Sequence, residues 1–198
     1  MGDHQASGNA QSNPHWIGDS SKVRGPNNDG SFIIPSRALN ITWGNDPRYW
    51  EWVKLCETES RVREFEEGVM LQQVNWLEVT GRFELVISNT AKRSYKVYYV
   101  MKFNEDAFGW SHAVIKFKVK LVEEGDDNSK ELGEENIWRE VNLQQYGETP
   151  GTWHKICVGE FNVVGNNNIA KVEVGMFEVE TDWWKGSMIL GGIWIEPV

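Results

Sequence analysis

Apolar and polar positions alternate with a period of two along much of this chain. Ile115, Phe117, Val119 and Leu121 share one parity, and Lys116, Lys118 and Lys120 the other. Leu77, Val79, Phe83 and Leu85 alternate with Glu78, Thr80, Arg82 and Glu84, and Tyr95, Val97, Tyr99, Met101 and Phe103 share a parity broken by Lys96 and Lys102. Such runs are half-buried antiparallel strands, because successive side chains in a strand face opposite ways. Gly81 interrupts the second run and predicts a bulge or bend. Val69 to Trp76 carries its apolar residues on the opposite parity, which marks a separate strand or a change of register.

Further strands are expected over 138–143, 153–161, 170–180 and 187–197. No helical periodicity extends past about ten residues. About eight or nine strands separated by turn signals make an all-β antiparallel domain, a sandwich or a barrel. Residues 57–68, 123–135, 144–152 and 165–168 are charged or rich in Gly, Pro and Asn, and read as connections. Residues 1–30 are polar and Gly/Asn/Ser-rich apart from Trp16, and read as a disordered tail; 31–198 form the folded domain.

With 198 residues the length suits one domain, and much of the apolar content is aromatic, with 11 Trp, 8 Phe and 5 Tyr. A net charge of −9 disfavours nucleic acid and anionic membrane surfaces as partners. No segment is apolar enough to span a bilayer or to serve as a secretory signal, so a cytoplasmic chain is expected. The two cysteines, Cys56 and Cys157, are then expected as free thiols.

Aromatic residues concentrate in 38–52, ALNITWGNDPRYWEW. A short strand over Leu39 to Trp43 is followed by a polar turn, then Tyr49, Trp50 and Trp52. Large aromatics here serve either a core or a platform for flat ligands, since Trp and Tyr offer a rigid face and a donor. A second concentration is Thr181-Asp182-Trp183-Trp184-Lys185-Gly186. Adjacent residues in a loop cannot both turn easily to one core, so at least one of Trp183 and Trp184 is expected at the surface, unless both pack inward or line a dimer interface. Along Val172, Val174, Met176 and Glu178 the core-facing parity ends in a carboxylate. Either the strand has reached the surface there, or Glu178 stands at the mouth of a groove and accepts hydrogen bonds from a ligand.

Catalysis finds little support. His112 and His154 have no metal-ligand spacing, and neither a phosphate loop nor a nucleophile elbow occurs. No catalytic residue, metal or cofactor is expected. The lysine stripe at 116–120 reads as a solvated face.

Six strings recur in order: Ala38-Leu39-Asn40-Ile41-Thr42-Trp43, Pro47-Arg48-Tyr49-Trp50, Val74-Asn75-Trp76-Leu77-Glu78-Val79, Ser94-Tyr95-Lys96-Val97-Tyr98, Gly159-Glu160-Phe161 and Trp184-Lys185-Gly186-Ser187-Met188-Ile189. Together they resemble the phloem protein 2 family, which includes Nictaba-type and cucurbit phloem lectins. The resemblance covers Phe32 to Pro197. It implies a jelly-roll-like β-sandwich lectin of plant phloem and plant defence, metal-free and homodimeric, binding chitin oligomers of β1,4-linked N-acetylglucosamine or N-glycan cores. It places ligand-binding roles on Trp43, Trp50, Glu178 and Lys185, with Tyr49, Trp183 and Trp184 beside them. A phloem filament protein is a further partner the family suggests. The competing expectation is a phloem protein-interaction or trafficking module with little sugar binding.

Overall fold

In β7 (Val114–Val122) the alternation appears as burial: Ile115, Phe117 and Val119 are buried between two sheets, and the lysines face outward. The computed structural model describes residues 13–55, 62–87, 93–122, 137–163 and 169–198. The first twelve residues of the tail, Cys56, the acidic connection 123–135 and the turn at 165–168 lie outside them.

The remaining strands are β1 (Phe32–Pro35), β2 (Asn40–Ile41), β3 (Trp50–Lys54), β4 (Glu67–Val74), β5 (Leu77–Val86), β6 (Arg93–Phe108), β8 (Ile137–Asn142), β9 (Trp153–Val163), β10 (Ile169–Glu178) and β11 (Lys185–Pro197). One helical turn, α1 (Gln144–Gly147), precedes β9. A five-stranded sheet runs β2-β5-β10-β7-β8, and a six-stranded sheet runs β3-β4-β11-β6-β9, with β1 also on β11. Every pairing is antiparallel. The two expected architectures thus resolve as a sandwich. β1 and β4 share one side of β11: β1 covers Gly192 to Ile195, and β4 covers Lys185 to Leu190.

The core lies between the sheets, where Tyr99 of β6 meets Phe117 of β7 edge-on at 4.8 Å. A second apolar cluster, with Ile33, Val62, Phe65, Val100, Trp153 and Ile189, lies on the outer face of the six-stranded sheet. β11 is therefore covered on both faces along part of its length, and its MILGGIWI run is continuous rather than alternating for that reason.

Several expectations are corrected. Gly81 makes no bulge: β5 and β10 stay in register across it, Val174 opposite Gly81. The glycine is needed because the Phe83 ring folds over it, and a Cβ there would come within 2.4 Å of that ring. The irregularities fall instead in β11, between Gly186 and Met188 and between Leu190 and Gly192, and between β6 and β9 at Val97/Tyr98. The strand expected over Leu39 to Trp43 is only two residues long, because the chain turns away after Ile41. Residues 13–30, expected within the disordered tail, run along the domain. Trp16 exchanges backbone hydrogen bonds with Ile41, 3.0 Å each way, and Arg24 does the same with Ile33. The Arg37 guanidinium stacks 4.9 Å from Trp16 and 3.7 Å from Trp52, fastening the segment.

On the outer face of the five-stranded sheet the lysine stripe is paired with acidic neighbours. Lys118 reaches Glu173 at 3.2 Å and Lys116 reaches Glu180 at 2.6 Å. Both pairs are solvated and cross between strands or their ends, as a wet face should.

Candidate functional site

The connections that carry the aromatic concentrations meet at one end of the sandwich. Register fixes this: Ile41 stands opposite Val79, Trp50 opposite Leu71, Glu178 opposite Leu77, Lys185 opposite Val74 and Gly186 opposite Phe108. The segments 42–49, 75–76, 109–113 and 179–184 therefore leave neighbouring strand ends, and each passes from one sheet to the other. Between the first two lies an open groove of about 420 Å³, lined by Thr42, Trp43, Tyr49, Val74, Asn75 and Trp76.

Trp43 is 37% exposed and has φ 63°. That left-handed conformation is costly for a bulky residue, so surrounding bonds must impose it. Its N–H donates to His15 Nδ1 at 3.0 Å, and its carbonyl accepts from the Asp46 N–H at 2.9 Å. Its ring lies between His15, centroids 4.8 Å apart, and Tyr49, 5.9 Å apart. Tyr49 is tied to β4 by its carbonyl, which accepts from Gln72 N–H at 2.8 Å. In the same turn Arg48 donates to both Asp46 carboxylate oxygens, which holds the Asp46 carboxyl below its ordinary value.

Trp76 forms the opposite wall and is 48% exposed. Its indole donates to Glu78 Oε2 at 3.0 Å, and the same oxygen accepts from Thr42 Oγ1 at 3.3 Å. Glu78 Oε1 accepts no hydrogen bond among the described residues. The groove thus presents indole and phenol rings, with hydroxyl, amide and carboxylate groups at their margins.

Trp50 is placed differently from its expected role. It is only 2% exposed, and its indole donates to the Thr42 carbonyl at 3.1 Å. It supports the groove from within the core and offers no face to a ligand. Glu178 and Lys185 are also interior, 4% and 0% exposed. The strand has not reached the surface at Glu178, nor does the carboxylate open onto the groove. It pairs with the Lys185 ammonium, and its other oxygen accepts from the Thr181 N–H at 3.1 Å and hydroxyl at 2.8 Å. Lys185 also donates to the Trp183 carbonyl at 2.8 Å and the Asn75 carbonyl at 3.4 Å. The pair anchors the 179–184 connection to the 75–76 corner.

Trp183 and Trp184 are both surface residues, 57% and 48% exposed. Trp183 lies 5.3 Å from the His112 ring. Of the expected residues, Trp43 and Tyr49 meet in the groove, while Trp183 and Trp184 stand on the adjoining connection. Trp76, Thr42, Asn75, Glu78 and His15 are additions. The signal for Trp76 was the parity switch at 75–76: a tryptophan at a corner between sheets has no layer to enter. The described residues hold no cluster of His, Cys, Asp and Glu able to bind a metal, and Cys157 is a half-buried free thiol.

The phloem protein 2 family model matches residues 29–197. The chain belongs to the phloem protein 2 family. Within that family it is 28% identical over 169 residues to PHLOEM PROTEIN 2-LIKE A5 of Arabidopsis thaliana, covering 84% of this chain and 37% of that one. It is 26% identical to PHLOEM PROTEIN 2-LIKE A9 of the same plant, covering 96% and 99%. A protein of Luffa acutangula named a lectin is 26% identical, covering 84% and 70%. The chain thus spans little more than a third of one relative and nearly the whole of another.

Proposed function

We propose that the groove between Trp43, Tyr49 and Trp76 is a glycan-binding site and that the protein is a non-enzymatic lectin. The observation that carries this is three partly exposed rings around an open groove, bordered by Thr42, Asn75 and Glu78. Sugar rings lay their C–H faces on indole and phenol surfaces, and their hydroxyl and acetamido groups bond to flanking acceptors and donors. The acetamido N–H suits Glu78 Oε1, and the acetamido carbonyl suits the Asn75 side chain. Chitin oligomers of β1,4-linked N-acetylglucosamine, and N-glycan cores that share that unit, are the ligand class this favours. The lectin name of the Luffa relative supports carbohydrate binding, and the family supports residence in phloem.

An open, wet site of this kind gives affinity of about micromolar or weaker, and a homodimer would add avidity. Calorimetric titration of chitotriose into the wild type, Trp43→Ala and Trp76→Ala tests the reading. Saturable heat in the wild type that both variants lose is the expected result. No heat with the folded wild type would overturn it, in favour of a protein-interaction or trafficking module with little sugar binding.

A further inference from the structure

We infer that His15 is a positioning residue of this groove: its Nδ1, as acceptor for the Trp43 N–H, holds the Trp43 platform in its left-handed turn. The inference rests on the groove being the glycan site. A residue at φ 63° persists only where neighbouring bonds over-determine it, and here they converge from residues 13–16. Besides the His15 bond, the Asn45 side chain donates to the Asn13 carbonyl at 3.0 Å and the His15 carbonyl at 2.9 Å, and the Asn45 N–H donates to the Pro14 carbonyl at 3.0 Å. Gly44 is closed on the other side by Trp16, whose Cβ would lie 2.6 Å from any Cβ added there. The turn and this short segment form one unit.

The bond also fixes the imidazole chemistry. An acceptor Nδ1 requires the neutral ring with its proton on Nε2. His15 does not line the groove itself, so it acts through Trp43. The segment lies outside residues 29–197, the span that the family model matches.

The test uses the full chain and three variants, His15→Ala, His15→Phe and His15→Asn. Asn places its Oδ1 near the position of the imidazole Nδ1, whereas Phe keeps a ring without the acceptor. Two readouts are taken: hydrogen exchange of the Trp43 amide by NMR, and chitotriose affinity by calorimetry. His15→Ala and His15→Phe are expected to speed Trp43 exchange and to weaken chitotriose by about 5- to 10-fold, the worth of one hydrogen bond. His15→Asn is expected to restore both. Wild-type exchange in His15→Ala, or rescue by Phe and not by Asn, overturns the inference. If the wild type itself ignores chitotriose, the glycan reading falls, and the exchange measurement alone decides the role of His15.

Discussion

Glu178 and Lys185 form a buried ion pair that closes the connection between β10 and β11, the central strands of the two sheets. The ammonium has three donors, and its three acceptors are the Glu178 carboxylate and the carbonyls of Trp183 and Asn75. A charge so placed is affordable only with every partner present.

Removing one member should therefore unfold rather than merely disarm. Lys185→Met leaves the carboxylate uncompensated and is expected to cost about 3–5 kcal/mol in urea denaturation. The double variant Glu178→Leu with Lys185→Met should recover most of that loss. A Lys185→Met protein as stable as the wild type would contradict the structural role assigned to the pair.

Trp50 and Trp43 separate stability from binding. Trp50→Ala empties a core position and is expected to cost about 3–5 kcal/mol. Trp43→Gly releases the left-handed strain while losing the ring contacts, so stability should stay within about 1 kcal/mol of wild type. Chitotriose binding should nevertheless vanish in Trp43→Gly. Denaturation and calorimetry on the two variants check both halves.

Acid should loosen the groove through Asp46. Hydrogen bonds from Arg48 lower its carboxyl below the ordinary 3.8 in the folded chain. A depressed carboxyl contributes stability that is fully present above 3.8 and is lost as pH falls through the folded value. Turn 43–48 should hold from neutrality down to about that pH and fray below it. NMR titration of the Asp46 carboxyl should show the depressed midpoint in the wild type, and Arg48→Ala should move it back toward 3.8.

Gly109 is fixed by a close approach. It has φ 81°, and a Cβ there would lie 2.0 Å from the Trp184 carbonyl oxygen. A backbone atom cannot yield as a flexible side chain can, so Gly109→Ala should displace the 179–184 connection and destabilise the fold by more than the ~1 kcal/mol of conformational strain alone. Thermal unfolding reads the loss of stability, and NMR shifts of the Trp183 and Trp184 indole N–H groups read the local displacement.

The sandwich was legible wherever one face of a strand is wet. β5, β6 and β7 show their alternation because polar residues mark the solvent side. β11 hides its own period, since the second apolar cluster covers its outer face. Glu178 shows the limit of parity reasoning: an inward carboxylate signals a rim or a partner, and the partner sits seven residues on in another sheet. Trp50 and Trp43 are chemically alike, and only the turn at 42–43 decides which is inside. Residues 13–16 read as tail from the sequence because a single tryptophan anchors a segment whose average composition is polar.

The groove draws its walls from both layers. Thr42 and Trp43 leave β2, and Trp76 leads into β5, in the five-stranded sheet; Val74 ends β4, and Tyr49 leads into β3, in the six-stranded one. An occupant would therefore act as a staple, resisting any sliding or parting of the two layers, and occupancy would register as mechanical toughness of the whole molecule.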